Sequence, residues 1–88
     1  MLEPDVIDRI SNFVQEHGLD EAVVTNLRGA WPKIHFTYCF DDDISGAKPV
    51  REFADFNVYL VDGREHCLKF TADLQAATGL VLAHVEPE

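Results

Sequence analysis

The chain has 88 residues, of which 47% are hydrophobic and 26% are charged, and 16 acidic side chains against 7 basic ones give a formal net charge of −9. This length suffices for one domain, so we expect a single domain over residues 1–88, with the composition of a globular and not a disordered protein. The charge repels phosphate groups, which disfavours nucleic acid and anionic membranes as partners and favours a basic protein or a cation.

Two helices are predicted in the first third of the chain. Pro4 is tolerated at the first position of a helix, because its missing N–H has no partner there, and Gly18 supplies a left-handed C-cap. Asp20 is a favourable N-cap for a second helix, which Pro32 ends. The two segments together therefore predict a helical hairpin made of two amphipathic helices. The apolar positions at helical spacing are Val6, Ile7, Ile10, Phe13 and Val14 in the first segment and Val23, Val24, Leu27 and Trp31 in the second.

The apolar period changes to two in residues 34–40, which is typical of a strand. Large apolar residues alternate there with His35, Thr37 and Cys39. Three aspartates then end the strand and open a segment without periodicity, residues 41–55. A connection of this length is uncommon in a small domain and is frequently functional. The alternative is a solvated surface loop with one helical turn near residues 50–53.

The stretch FNVYLVDGREHCLKF, residues 56–70, predicts a β-hairpin whose register depends on its turn. A three-residue loop over residues 61–63 puts Gly63 at the left-handed position of the turn. This register pairs Leu60 with Arg64 and Val58 with His66. A two-residue Asp-Gly turn would move the apolar residues of the two strands to opposite faces of the sheet, so we predict the three-residue loop.

The last third completes the predicted fold. Residues 73–78 predict a short helix, and residues 80–85, LVLAHV, predict a strand. The nearly continuous apolar character of this strand indicates a central position with both faces covered. The predicted fold class is α+β, with an N-terminal helical hairpin packed on a mainly antiparallel sheet of about four strands.

The first residues of the sequence and its cysteine content bear on the cellular compartment of the protein. The sequence begins MLEPDVIDRI, without a basic segment before an apolar run, so no signal peptide is expected. No apolar run approaches the ~20 residues of a membrane span. The two cysteines, Cys39 and Cys67, do not indicate a disulfide framework. The sequence therefore predicts a cytoplasmic protein with reduced thiols and no membrane attachment.

A metal site is the first candidate chemistry, because histidine and cysteine bind zinc at about 2.0–2.3 Å. His35 and Cys39, however, lie about 13 Å apart on a straight strand. His66 and Cys67 are adjacent and point to opposite faces. The run DDDISG departs from the DxDxDG pattern of calcium loops. We therefore predict no metal and no cofactor, and keep these four residues as the metal-binding alternative.

A protein-binding surface is the remaining class of function. The aspartate run forms an acidic patch, and basic residues lie close to it in the sequence. A tyrosine adds an aromatic side chain with a polar tip, a type that is common at protein interfaces. The predicted binding surface comprises Asp41, Asp42, Asp43, Lys48, Arg51 and Tyr59.

The sequence thus predicts a small acidic accessory protein, a non-catalytic protein-binding module that is a monomer or a homodimer. Its alternatives are a metal-binding protein and, less favoured, a small enzyme, for which no nucleophile or phosphate-binding motif is present. The acidic charge alone can also be read as a device for solubility.

Four segments, HFTYCFDDDI, KPVRE, FNVYLVDGREHCL and ATGLVLA, resemble a small family of uncharacterised proteobacterial proteins that are encoded among nitrogen-fixation genes. The resemblance covers about residues 20–85. It implies a cytoplasmic role close to nitrogenase assembly or regulation. The family has no established activity, so the resemblance transfers no catalytic residue.

Overall fold

Two helices are followed by a mixed sheet in the computed structural model, which describes residues 2–63 and 69–85. The elements are α1 (Pro4–His17), α2 (Glu21–Ala30), β1 (His35–Phe40), a 3₁₀ helix (Asp41–Asp43), β2 (Arg51–Glu52), β3 (Phe56–Asp62), β4 (Lys69–Thr71) and β5 (Gly79–His84). The predicted α+β fold with an N-terminal helical hairpin and a mainly antiparallel sheet is confirmed. The described residues form five strands, where the sequence predicts about four.

Local signals set the ends of both helices as predicted. α1 begins at Pro4 and ends before Gly18, whose φ of 83° favours glycine. The side chain of Asp20 accepts a hydrogen bond of 2.8 Å from the backbone N–H of Val23 and so caps α2, a contribution of about 1 kcal/mol. Neither helix, among the residues described, has the length and apolar character needed to cross a membrane.

The last strand lies in the middle of the sheet. The strand order is β1–β5–β3–β2, and β4 also pairs with β3. β5 runs parallel to β1 and antiparallel to β3. Both of its faces are buried, with Leu80 and Leu82 on one side and Val81 and Ala83 on the other. The prediction of a central final strand is confirmed.

The two helices cover one face of the sheet. Their buried apolar side chains pack on alternate residues of β1, β3 and β5, and each fully buried aliphatic side chain contributes about 1.5–3 kcal/mol. This cluster includes Ile7, Ile10, Val14, Val24, Leu27, Phe36, Val58, Leu60, Leu80 and Leu82.

The opposite face is covered by the chain between β1 and β2, which we call the strap (residues 41–50). The strap starts at one edge of the sheet and ends at the other, so it crosses β5 and β3. Ile44 and Ala47 pack there on a small buried cluster that includes Tyr59 and Val81. The helical turn predicted near residues 50–53 is wrong, because Arg51–Glu52 forms a strand that pairs with β3.

The predicted hairpin register is also wrong. β3 continues through residues 61 and 62, which the sequence places in the loop, and Leu60 pairs with Thr71. Val58 pairs with Arg51 on one side and with Leu82 on the other. The pairing of β3 with β5 thus outweighs the local preference for a tight turn. Residues 64–68 lie outside the described part of the chain.

The short helix predicted over residues 73–78 is reduced to one turn. The backbone N–H groups of Ala76 and Ala77 each donate to the Asp73 carbonyl at 3.1 Å. Thr78 must be extended, because its carbonyl accepts a 3.2 Å hydrogen bond from His35 and its N–H donates to Val61 at 2.9 Å. These hydrogen bonds to β1 and β3 leave room for one turn only.

Candidate functional site

A surface cleft of about 790 Å³ lies where the end of β1 meets the start of α2. Its apolar part includes the ring of Phe40, which is 48% exposed. Asp20 and Glu21 line the cleft from the start of α2, and Asp43 lines it from the strap. Three acidic residues therefore line the same cleft as an exposed aromatic residue.

A second cleft of about 450 Å³ continues along the edge of β1. Glu21 and Tyr38 line both clefts, so the two clefts form one continuous groove beside β1, which we call the β1 groove. At its far end the guanidinium of Arg28 donates a hydrogen bond of 3.1 Å to the carbonyl of Phe36. Arg28 thus closes the groove at Phe36, and the groove is open from Tyr38 to Phe40.

Asp41 has a structural contact that the sequence does not reveal. Its Oδ1 accepts hydrogen bonds from the Tyr59 hydroxyl at 2.7 Å and from the Asn57 side-chain amide at 3.0 Å. Tyr59 is only 4% exposed, and the ring of Phe70 packs edge-on against it at 5.7 Å. Asp41 and Tyr59 therefore fasten the strap to β3.

The six residues of the predicted binding surface fall in different places. Asp42 and Asp43 are exposed on the 3₁₀ helix, and Asp43 lines the β1 groove. Arg51 is tied to α1, because its Nε donates to Asp8 Oδ1 at 2.8 Å. Lys48 is exposed in the strap. That these residues bind a partner stays a prediction.

Cys39 lies in the groove in an environment that disfavours its thiolate. Burial, and then the negative charges of Asp43 and Asp41, raises the pKa of the Cys39 thiol. The thiolate is the form that attacks substrates and binds metals, and these surroundings favour the protonated thiol instead.

Metal-ligand geometry is absent from residues 2–63 and 69–85, where no three His, Cys, Asp or Glu side chains come close enough to hold an ion. His35 is exposed on β1, and Cys39 is half-buried. His66 and Cys67 lie outside the described residues, so the metal-binding alternative built on these four residues stays a prediction.

Sequence reasoning missed Asp20, Glu21 and Phe40 as members of one site. Asp20 carries a clear N-cap signal, and Phe40 is the last apolar residue before the aspartate run. No local pattern brings the start of α2 to the end of β1, because this approach depends on how the helices pack on the sheet.

We expect the protein to lose stability in alkali through Tyr59. Burial first, and then the hydrogen bond to Asp41, raises the pKa of Tyr59 to about 12. Because the folded-state pKa lies above the unfolded value near 10, the stabilisation is complete below about pH 10 and is lost as pH rises through about 12. At about pH 11 the free energy of unfolding should be lower by about 1.4 kcal/mol than near pH 9.

Urea unfolding near pH 9 and near pH 11 measures this loss. The Tyr59→Phe variant has no phenol at this position and should show a correspondingly smaller loss over the same interval. A variant that loses as much stability as the wild type would assign the alkaline effect to other groups.

Comparison with known proteins gives a family without an activity. A family model matches residues 10–85, and the family is described as one of unknown function. The predicted resemblance to an uncharacterised family is thereby confirmed. No curated protein and no solved structure matches the chain. The function must therefore be argued from the geometry of the groove.

Proposed function

Because the chain belongs to the family of unknown function DUF6129, we propose a function from its own geometry: it is a small acidic accessory module that binds a basic partner protein and performs no chemistry itself. The observation that carries this proposal is the β1 groove, which three acidic residues line together with the exposed Phe40. An aromatic centre with a charged rim is typical of surfaces that bind proteins.

The charge of the groove selects the class of partner. Asp20, Glu21 and Asp43 attract lysine and arginine side chains and repel phosphate groups. The net charge of −9 acts in the same direction at longer range. Charge complementarity of this kind speeds the encounter with a basic surface and discriminates against acidic proteins.

The setting of this function is also a proposal, and its support is the resemblance described above. We place the protein in the cytoplasm, near the machinery of nitrogen fixation, as an accessory to assembly or regulation. The resemblance supports the setting, and the groove supports the binding chemistry.

Affinity capture from the cytosol of the native host tests the proposal. Immobilised wild-type protein is compared with the double variant Asp42→Asn/Asp43→Asn, and retained proteins are identified by mass spectrometry. The control, Glu3→Gln/Glu16→Gln, removes the same charge around α1, where both glutamates are exposed. We expect wild type and control to retain the same basic protein, which the Asp42/Asp43 variant binds about tenfold more weakly, a difference of about 1.4 kcal/mol.

The purified partner then gives a quantitative reading. Its affinity for the wild type should fall as salt is raised from low to physiological ionic strength, because exposed charges are screened. Retention of acidic proteins only, or equal binding to both double variants, would refute the proposed role of the acidic surface.

A further inference from the structure

We propose that the β1 groove binds an extended basic peptide segment, which adds to the free edge of β1 as another strand. This inference rests on the proposed function, because it names the kind of segment that the basic partner supplies. Strand addition is a common mode of peptide recognition, in which main-chain hydrogen bonds supply affinity and side-chain contacts supply specificity.

The edge of β1 that faces the groove carries no strand among the residues described. The N–H of His35 donates to the Thr78 carbonyl on the β5 side. Successive residues of a strand direct their backbone groups alternately to its two edges, so Phe36 and Tyr38 direct theirs away from β5. The hydrogen bond from Arg28 agrees with this alternation, because it reaches the Phe36 carbonyl from the side of β1 opposite β5.

Tyr38 is the open position of this edge. Within residues 2–63 and 69–85, β1 pairs with β5 alone, and the bonds beyond regular elements include none to the backbone of Tyr38. Unpaired N–H and C=O groups at a sheet edge are a template for another strand. Arg28 satisfies the neighbouring Phe36 carbonyl, and so leaves Tyr38 as the point where a peptide can pair.

The side chains around this edge define the chemistry of the peptide. Tyr38 and the exposed ring of Phe40 offer apolar contact, while Glu21 and Asp43 supply negative charge. A strand that alternates apolar and basic residues can make the apolar contacts with one set of side chains and pair with the negative charges through the other. The positive charge of Arg28 at the closed end repels a basic residue there and limits the peptide to the open part of the groove.

A second copy of the chain is the competing occupant of such an edge. Pairing two β1 strands would bring the carboxylates of both grooves together, and each chain carries a net charge of −9. Like charges at a shared interface oppose association. A basic peptide relieves this repulsion, which is why the groove favours it over self-association.

The first test uses a blocked peptide of about eight alternating Lys and Val residues, labelled for fluorescence anisotropy. Its control has the same sequence with alternate backbone nitrogens methylated, which keeps the charge and prevents strand pairing. We expect the methylated peptide to bind at least about tenfold more weakly. The Glu21→Gln/Asp43→Asn variant should also bind the parent peptide about tenfold more weakly, whereas Glu3→Gln/Glu16→Gln should bind it as the wild type does.

The second test is amide hydrogen exchange, resolved by residue. The Tyr38 amide should exchange fast in the free protein and at least about tenfold more slowly with saturating peptide. Thr37 is the internal control, because its backbone faces β5 and its amide should be protected with and without peptide.

Three results would overturn the inference. Equal binding of both peptides with an unprotected Tyr38 amide would mean binding by charge alone, which leaves the proposed function standing. Protection of Tyr38 that grows with protein concentration in the absence of peptide would assign the edge to a second copy. Capture of a basic partner from cytosol by a protein that binds neither peptide would place the binding site elsewhere.

Discussion

Replacing Asp41 by Ala should lower the free energy of unfolding by about 3 kcal/mol, although Asp41 belongs to a surface run of three aspartates. Its Oδ1 accepts hydrogen bonds from both Tyr59 and Asn57. Hydrogen bonds to a charged group contribute about 1.5–3 kcal/mol each, and Tyr59 is buried, so its hydroxyl would lose its partner inside the protein. Urea unfolding at neutral pH measures the change.

The neighbouring aspartate provides a matched control for Asp41. Asp42 is exposed, and Asp42→Ala should change stability by no more than about 0.5 kcal/mol. A double-mutant cycle of Asp41→Ala with Tyr59→Phe should give a coupling energy of at least about 1 kcal/mol. Additive effects of the two substitutions would show that the hydrogen bond between these residues does not hold the strap.

Replacing Gly79 by Ala should destabilise the fold by about 3 kcal/mol, at the upper end of the range for overpacking. A Cβ atom at Gly79 would lie 2.5 Å from the carbonyl oxygen of His35 and 2.8 Å from its Cβ. These atoms belong to the paired strand and cannot move aside as a flexible side chain would. The substitution must therefore push β1 away from β5 at the start of their parallel pairing.

Gly29→Ala is the control, with an effect of opposite sign. Gly29 lies in α2, and a Cβ atom there would meet nothing within 4 Å. Alanine is favoured over glycine in a helix by up to about 1 kcal/mol, so we expect a gain of about 0.5 kcal/mol near the end of α2. If thermal or urea unfolding ranked Gly79→Ala as stable as Gly29→Ala, the close approach of β1 and β5 would be refuted.

The helices could be predicted from the sequence because the signals that bound them are local. Asp20 caps α2 through a hydrogen bond to a residue three positions away, and Gly18 ends α1 by its own backbone conformation. The central position of β5 could also be predicted, since four consecutive apolar residues, 80–83, require cover on both faces.

The strand registers could not be predicted, because they are set by residues far apart in the chain. The turn signal at Gly63 competes with the pairing of β3 to β5, and the longer pairing prevails. The strap shows the same limit. Ile44 and Ala47 are apolar residues in this polar stretch and indicate that the segment packs on the protein, but the sequence does not indicate on which surface.

Only part of the candidate site could be predicted from the sequence. The aspartate run does mark one wall of the groove through Asp43, yet Asp41 serves the strap and Arg51 binds α1. Residues of one sequence cluster thus have separate roles, because the sheet and the strap direct their side chains to different sides of the protein.

The order of the strands has a consequence for biosynthesis. β1 and β3 do not pair with each other, and both pair with β5, which the ribosome makes after them. Until residues 79–84 emerge, the nascent chain holds two apolar strands whose shared neighbour is missing. Such exposed edges invite aggregation and chaperone binding. The sheet can therefore close only once residues 79–84 are available, after both helices have been made.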